Sequence, residues 1–207
     1  MDPPASTLLW LIRHAEVERR YHFTFGGSID MALSPRGHQQ AAALAAYVKK
    51  RSLAALYASP MQRVQQTLAP MLNHNLKVTV LSELREVDFG DWTGLSWEQV
   101  QAKFGASAYS WLEQLESNAI PNAESAASLH ARLEPCLRDI LERHGGQQVA
   151  ILCHGGVIRM LLAILLRRPF SAMAPFDIEY ASITQVRCGL GRVKLELVNF
   201  VPWRDLP

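Results

Sequence analysis

The chain is poor in cysteine. Cys136, Cys153 and Cys188 are odd in number, widely separated and form no CxxC pair. That excludes a dense disulfide framework and a thiolate zinc site, and leads us to expect a reducing compartment. Charge of one sign is also lacking. Lys and Arg total 21 against 19 Asp and Glu, a net charge of +2, so bulk charge gives no signal for nucleic acid. Any recognition of anions must come from a local cluster. There is no long apolar run either. The longest, "VIRMLLAILL", is interrupted by Arg159 and is too short to span a bilayer. The opening "MDPPASTLLW" has no basic n-region and too short an apolar stretch for a signal peptide. No HExxH, no magnesium-type aspartate cluster and no GxxxxGK[ST] loop is present, so neither metal nor cofactor is expected. Repeats, linkers and low-complexity segments are absent. What remains is a soluble, cytoplasmic protein with no nucleic-acid and no membrane partner; a homodimer is left open. With 49% hydrophobic and 19% charged residues the chain is globular. Its 207 residues fit one core, since domains split only beyond roughly 250, so residues 1–207 are expected to form a single domain.

What is there alternates. "LLWLI" (8–12) reads as a short buried strand. "SPRGHQQAAALAAYVKKR" reads as a helix with Ser34 as N-cap and Pro35 in its first turn. A strand over 53–59, a second capped helix from "SPMQRVQQTLAPML" and a third strand in "LKVTVLSEL" follow. "REVDFGDWTG" has little periodicity and reads as an ordered loop. Residues 96–117 hold one or two helices, and Glu124 to Arg143 a longer amphipathic one. "QQVAILCH" is a strand bounded by glycines, and "VIRMLLAILLR" the helix after it. "SITQVRC" and "RVKLELVNFV" flank a Gly-Leu-Gly turn and read as a terminal hairpin. Strands alternating with helices predict an α/β fold with a largely parallel sheet. In such folds chemistry gathers at the carboxyl ends of strands. Arg13–His14, Ser59 and His154 each follow a strand, so three separated stretches converge on one edge.

Each candidate alone has a bland reading. Arg13–His14 could be a strand-end pair satisfied by loop carbonyls, and His154 in "ILCHGG" a core histidine beside turn glycines. Equally, glycines such as Gly155 let backbone approach a ligand, and the following helix N-terminus attracts anions. Arg63, one turn into its helix, opposes the helix dipole; an anionic partner would explain that, as would a surface ion pair. Glu86 sits among Phe89 and Trp92, where partial desolvation would suit it to general-acid work, although Asp88 and Asp91 are near. Together, two arginines, two histidines and a carboxylate make a coherent phosphoryl site. Arginine forks match phosphate oxygens, a neutral histidine can attack phosphorus, and a carboxylic acid can protonate the leaving oxygen.

The motifs bearing these residues resemble, in order, those of the histidine phosphatase superfamily, in its phosphoglycerate mutase-like branch. "LIRHAE" is similar to the family's Arg-His-Gly motif, and "SPMQRVQQT" to its second-arginine motif. "LREVDFGDWTG" resembles its Leu-x-Glu-x-x-Phe-Gly segment, "PNAES" its Pro-Gly-Gly-Glu-Ser helix start, and "CHGGVIR" its second-histidine motif. The resemblance implies a three-layer α/β/α sandwich and a metal-independent reaction. His14 becomes the nucleophile that forms phosphohistidine. Arg13, Arg63 and His154 become holders of the phosphoryl oxygens, and Glu86 the proton donor. Two departures stand out. Ala15 replaces the motif's glycine, where a methyl could tilt the His14 loop. Arg20 stands where many members have an asparagine contacting phosphate, either as a third cation or pointing to solvent. "PNAES" also lacks the usual glycines, which suggests another path for that loop.

The mutases of the family usually carry an extra segment that this chain lacks, so hydrolysis of a small phosphorylated metabolite is the expected activity. The sizes of the α-ribazole and broad-specificity phosphatases compare best. A cofactor-dependent mutase and a catalytically silent phospho-ligand binding module are the alternatives. Residues 92–120 are expected to cover the site. Of their aromatics, Trp97 and Phe104 have the helical spacing of packing residues, and others could favour a leaving group with a ring or apolar part. His22 lies close enough in the loop to touch substrate. His38, His74, His130 and His144 read as structural or solvated, and Cys153 as a core residue.

Overall fold

The computed structural model describes residues 6–72, 76–189 and 191–206. The first five residues, His74 and Leu190 of the hairpin turn lie outside the described residues. The chain runs through β1 (Thr7–Arg13), α1 (Pro35–Val48), β2 (Ala55–Ala58), α2 (Gln62–Leu68) and β3 (Val78–Val80). It continues through α3 (Trp97–Phe104), α4 (Trp111–Glu116), α5 (Ala126–Arg143), β4 (Gln148–Cys153) and α6 (Gly155–Leu166). It ends with β5 (Ile183–Gly189), β6 (Arg192–Phe200) and the short α7 (Pro202–Asp205). One sheet holds the strands in the order β3-β2-β4-β1-β5-β6. The first four pair in parallel, and the hairpin β5–β6 adds an antiparallel edge to β1. The fold is therefore a mixed-sheet α/β sandwich.

Side-chain alternation makes the three layers. Leu9 and Leu11 of β1 join Val149 and Ile151 of β4 in the core under α3 to α6. Trp10 and Ile12 join Ala150 and Leu152 in the core under α1 and α2. The central strands are buried on both faces, which is why they read as unbroken apolar runs. Among the described residues, no helix is long and apolar enough to cross a membrane.

Local chemistry explains most boundaries. Ser34 caps α1 by accepting from Gly37 N at 2.9 Å, and Ser125 caps α5 by accepting from Ser128 N at 3.0 Å. Three expectations are corrected. The second helix has no side-chain cap of its own; Asp30, from a distant loop, accepts from Gln62 N at 2.7 Å instead. The third strand is only three residues long: it pairs with the four-residue β2, and a 3₁₀ turn follows at Ser82–Leu84. The helix after β4 begins at Gly155, so both glycines belong to it.

Candidate active site

Strands β2, β4 and β1 lie side by side, so their carboxyl ends place Ser59, His154 and Arg13–His14 at one edge. Backbone bonds extend the ladder past the strands: His14 N donates to Cys153 O at 3.0 Å, and Ser59 N to Leu152 O at 3.1 Å. His14 is only 4% exposed. Its Nδ1 lies 2.8 Å from Ala15 O. A carbonyl only accepts, so Nδ1 carries the proton and Nε2 keeps its lone pair. Burial holds the His14 imidazole well below its ordinary pKa, reinforced by the positive charges of Arg63 and Arg13. It is a neutral imidazole with one free nucleophilic nitrogen.

His154 is fully buried between two partners. Arg63 Nε donates to its Nδ1 at 3.2 Å, which leaves the proton on Nε2 to be donated to Ser59 Oγ at 2.8 Å. Burial and the neighbouring Arg63 keep it neutral as well. Arg63 is 2% exposed and is further held by the carbonyls of Ile29 and Gly27. Its place is inside the molecule, not in a surface ion pair. Arg13 donates to Ile178 O at 2.6 Å and stacks 4.1 Å from the Tyr180 ring centre. Its Nε is buried without a hydrogen-bond partner.

These groups open onto a cavity of about 580 Å³ whose wall includes Arg13, His14, Arg63, Glu86, Gly155 and Arg159. Among the described residues, none of its three arginines has a carboxylate within ion-pair distance, whereas Arg20, Arg132, Arg187 and Arg204 all do. The cavity thus presents three arginines outside any ion pair, a neutral imidazole, a helix N-terminus and the carboxyl groups of Glu86, Asp177 and Glu179 to whatever enters it.

The profile of the histidine phosphatase superfamily (branch 1) matches residues 9–201. The chain belongs to the histidine phosphatase superfamily. It is similar to phosphoserine phosphatase 1 of Hydrogenobacter thermophilus, with 30% identity over 86% of this chain and 85% of that one. It is also similar to the adenosylcobalamin/α-ribazole phosphatase of Escherichia coli, with 28% identity over 83% and 85% of the two chains. Among solved structures, a mycobacterial glucosyl-3-phosphoglycerate phosphatase superposes with a TM-score of 0.85 at 27% identity, covering 94% of this chain and 99% of that one.

In this histidine phosphatase, Glu86 is set by its neighbours. Its Oε1 accepts from Val87 N at 3.0 Å. Arg132 fastens the loop behind it, donating to the carbonyls of Glu83 and Glu86 and pairing with Glu124 at 2.6 Å. Asp88 and Asp91 are drawn away from the cavity, Asp88 accepting from Gly90 N and Asp91 from the Asn122 amide. Geometry thus separates three carboxylates that the sequence left in competition.

Several expectations change. Arg20 is not part of the cavity wall: its side chain is 70% exposed and is drawn to Glu18 at 2.6 Å. His154 does not line the cavity either; both ring nitrogens are engaged beneath it. Ala15 is fully buried beneath the site. Its methyl packs in the core with Ile12 and Val64, and its N–H donates to Thr67 Oγ1 at 2.9 Å. Asn122 takes the left-handed conformation (φ 59°) where the motif has glycine, so the loop keeps a residue tolerant of that geometry. His22 turns to Val17 O at 3.0 Å. Trp97 does line the cavity, with Tyr109 and Trp111, so it is more than a packing residue; Phe104 is not in the wall. Cys153 is fully buried in the core. Two wall residues, Arg159 and Tyr180, went unassigned in the sequence. Arg159 interrupts the most apolar helix, which was a usable signal. Tyr180 reaches the site from the segment before β5, with no local motif to mark it.

Proposed function

We propose that this phosphatase of the histidine phosphatase superfamily is a metal-independent phosphomonoesterase that works through a phosphohistidine on a small phosphorylated metabolite. The observation that carries the reading is His14: buried, neutral, its Nδ1 committed to Ala15 O and its Nε2 free beside two arginines. Arg13, Arg63 and the N–H groups at the start of α6 hold the phosphoryl oxygens. Nε2 of His14 attacks phosphorus as the bond to the leaving oxygen breaks, and Glu86 in its acid form protonates that oxygen. Glu86 then takes a proton from water, the oxygen of that water attacks phosphorus, and the bond to Nε2 breaks. Inorganic phosphate leaves and Glu86 is an acid again. His154 is assigned a positioning role, orienting the guanidinium of Arg63 from below. Charge neutralisation by Arg13 and Arg63 at the phosphoryl group fits a reaction without metal.

The named relatives act on phosphoserine, α-ribazole and glucosyl-phosphoglycerate esters, so the phosphoryl end is the constant part. The test is phosphate release from a panel of phosphomonoesters with EDTA present, beside an assay for conversion of 3-phosphoglycerate to 2-phosphoglycerate. Release in EDTA, lost in His14→Ala together with acid-labile phosphoenzyme, is expected. Isomerisation without release makes the protein a mutase, and turnover by His14→Ala near the wild-type rate refutes the mechanism.

A further inference from the structure

We propose that Tyr180 is a positioning residue of the phosphoryl clamp: its ring carries the guanidinium of Arg13 and fixes it beside His14. The inference rests on the phosphomonoesterase reading above, in which Arg13 holds phosphoryl oxygens. Among the described residues the Arg13 side chain makes one hydrogen bond, from Nη1 to Ile178 O at 2.6 Å. A single bond to a carbonyl leaves a guanidinium free to swing about that contact. The Tyr180 ring, its centre 4.1 Å from Arg13 Cζ, removes that freedom by covering one face. The segment that bears Tyr180 is itself tied to Arg13 and His14. Arg13 N donates to Ser182 O and Ala181 N to His14 O, each at 3.0 Å, and Ser182 N closes a turn on Glu179 O at 3.2 Å. Inside that turn Ala181, fully buried, takes the left-handed conformation (φ 56°). A residue with a Cβ is disfavoured there, and such strain persists where the surroundings impose it.

The turn delivers Tyr180 to the cavity wall, where its ring centre stands 5.6 Å from that of His14 and 6.3 Å from that of His22. His14 thus has two rings for neighbours, Tyr180 and, at 5.2 Å, His154. A ring suits the task better than a carboxylate. Its face attracts a cation, yet it has no net charge to neutralise the arginine or repel an incoming phosphate. Stacking also occupies only the face of the guanidinium and spares its in-plane N–H groups for oxygens. Glu86, Asp177 and Glu179 share the cavity wall, but among the described residues none lies within ion-pair distance of Arg13. Glu179, next to Tyr180 in the chain, is turned instead to Arg204 and to the Asn199 amide. The aromatic face is therefore what holds this cation in place.

The test measures the Kd of inorganic phosphate by calorimetry, and kcat/KM on the phosphomonoester that the wild type turns over fastest. The variants are Tyr180→Leu, Tyr180→Phe, Arg13→Ala and the double variant of Arg13→Ala with Tyr180→Leu. Tyr180→Leu should weaken phosphate binding roughly 3- to 30-fold, the worth of a cation–π contact, and lower kcat/KM by a similar factor. Tyr180→Phe, which keeps the ring, should retain most of both. In the Arg13→Ala background, Tyr180→Leu should change phosphate binding less than about 2-fold, because the group it positions is gone. A ring that only stabilised the fold would not show that non-additivity. Tyr180→Met, which removes the ring but keeps a long flexible side chain, carries the same cycle where the leucine variant fails to fold. A loss in Tyr180→Phe equal to that in Tyr180→Leu assigns the effect to the hydroxyl and overturns the stacking role. The same loss with and without Arg13, or no loss at all, also overturns it. A wild type that binds no phosphate overturns the clamp and this inference together. Phosphate binding with coupling between Arg13 and Tyr180, but no hydrolysis of any ester, sinks the phosphatase reading alone. Hydrolysis without that coupling sinks the positioning role alone.

Discussion

In the proposed mechanism His14 makes the chemistry depend on one proton. An ordinary histidine is half protonated near pH 6.5, but burial first, then Arg63 and Arg13, lower the value here. A lowered pKa keeps the neutral nucleophile available on the acid side of that midpoint. The acid limb of kcat/KM that reports His14 should therefore fall below pH 6.5. Arg63→Ala removes one of the two positive neighbours, so it should move that limb toward higher pH while lowering the rate about 10²- to 10³-fold, by analogy with loss of an oxyanion donor. A pH–rate series on both proteins checks the sign; a limb that moves to lower pH, or stays fixed, contradicts it. The Arg63 motif could be read from its residues, but the burial that gives the arginine its effect could not. One turn into a helix suits a surface ion pair as well as a ligand. Only the crossing of α2 over the ends of β2 and β4 makes it internal.

Helix α6 sets the distance between the strand edge that carries His14 and the Glu86 loop, and it does so with a missing side chain. A Cβ on Gly156 would stand 2.7 Å from Glu86 Oε1 and 2.7 Å from Val87 Cγ2. The Glu86 loop has little room to retreat, because Arg132 ties it to α5. Gly156→Ala should therefore displace Glu86, lowering kcat about tenfold or more and costing about 1–3 kcal/mol of stability by overpacking. Gly145→Ala meets nothing within 4 Å and lies outside the cavity wall, so it serves as the control. Steady-state kinetics and urea midpoints of the two variants decide; equal effects would mean the spacing at Gly156 is not what matters. Elements with their own signals were legible: α1 from Ser34 and Pro35, α5 from its amphipathic pattern, and the hairpin from its alternation. Those whose boundaries depend on distant partners were not. The cap of α2 comes from Asp30, and β3 ends where β2 ends.

At the scale of the molecule, charge is nearly balanced yet unevenly placed. Surface arginines such as Arg20, Arg187 and Arg204 pair with carboxylates, while Arg13, Arg63 and Arg159 form no ion pair among the described residues and lie beside two buried histidines. Such a region should make the fold sensitive to acid. His14 and His154 have lowered pKa values when folded, so between the unfolded value near 6.5 and the folded values the unfolded chain binds more protons. Stability must then rise with pH across that window and fall as pH drops below about 6.5. The slope approaches about 1.4 kcal/mol per pH unit for each histidine, a large fraction of the roughly 5–15 kcal/mol of a typical domain. The depressed surface carboxylates Glu196 and Asp205 act in the same direction, but only below the ordinary carboxylate range, so pH 5 to 6.5 isolates the histidines. Urea midpoints at pH 5.0, 5.5, 6.0 and 7.0 should fall toward acid in the wild type. His14→Gln, which keeps a neutral polar side chain but cannot titrate, should flatten that fall by about half. A slope equal in both proteins would mean that His14 titrates alike in the folded and unfolded chain, and the neutral imidazole on which the proposed phosphohistidine mechanism depends would lose its support.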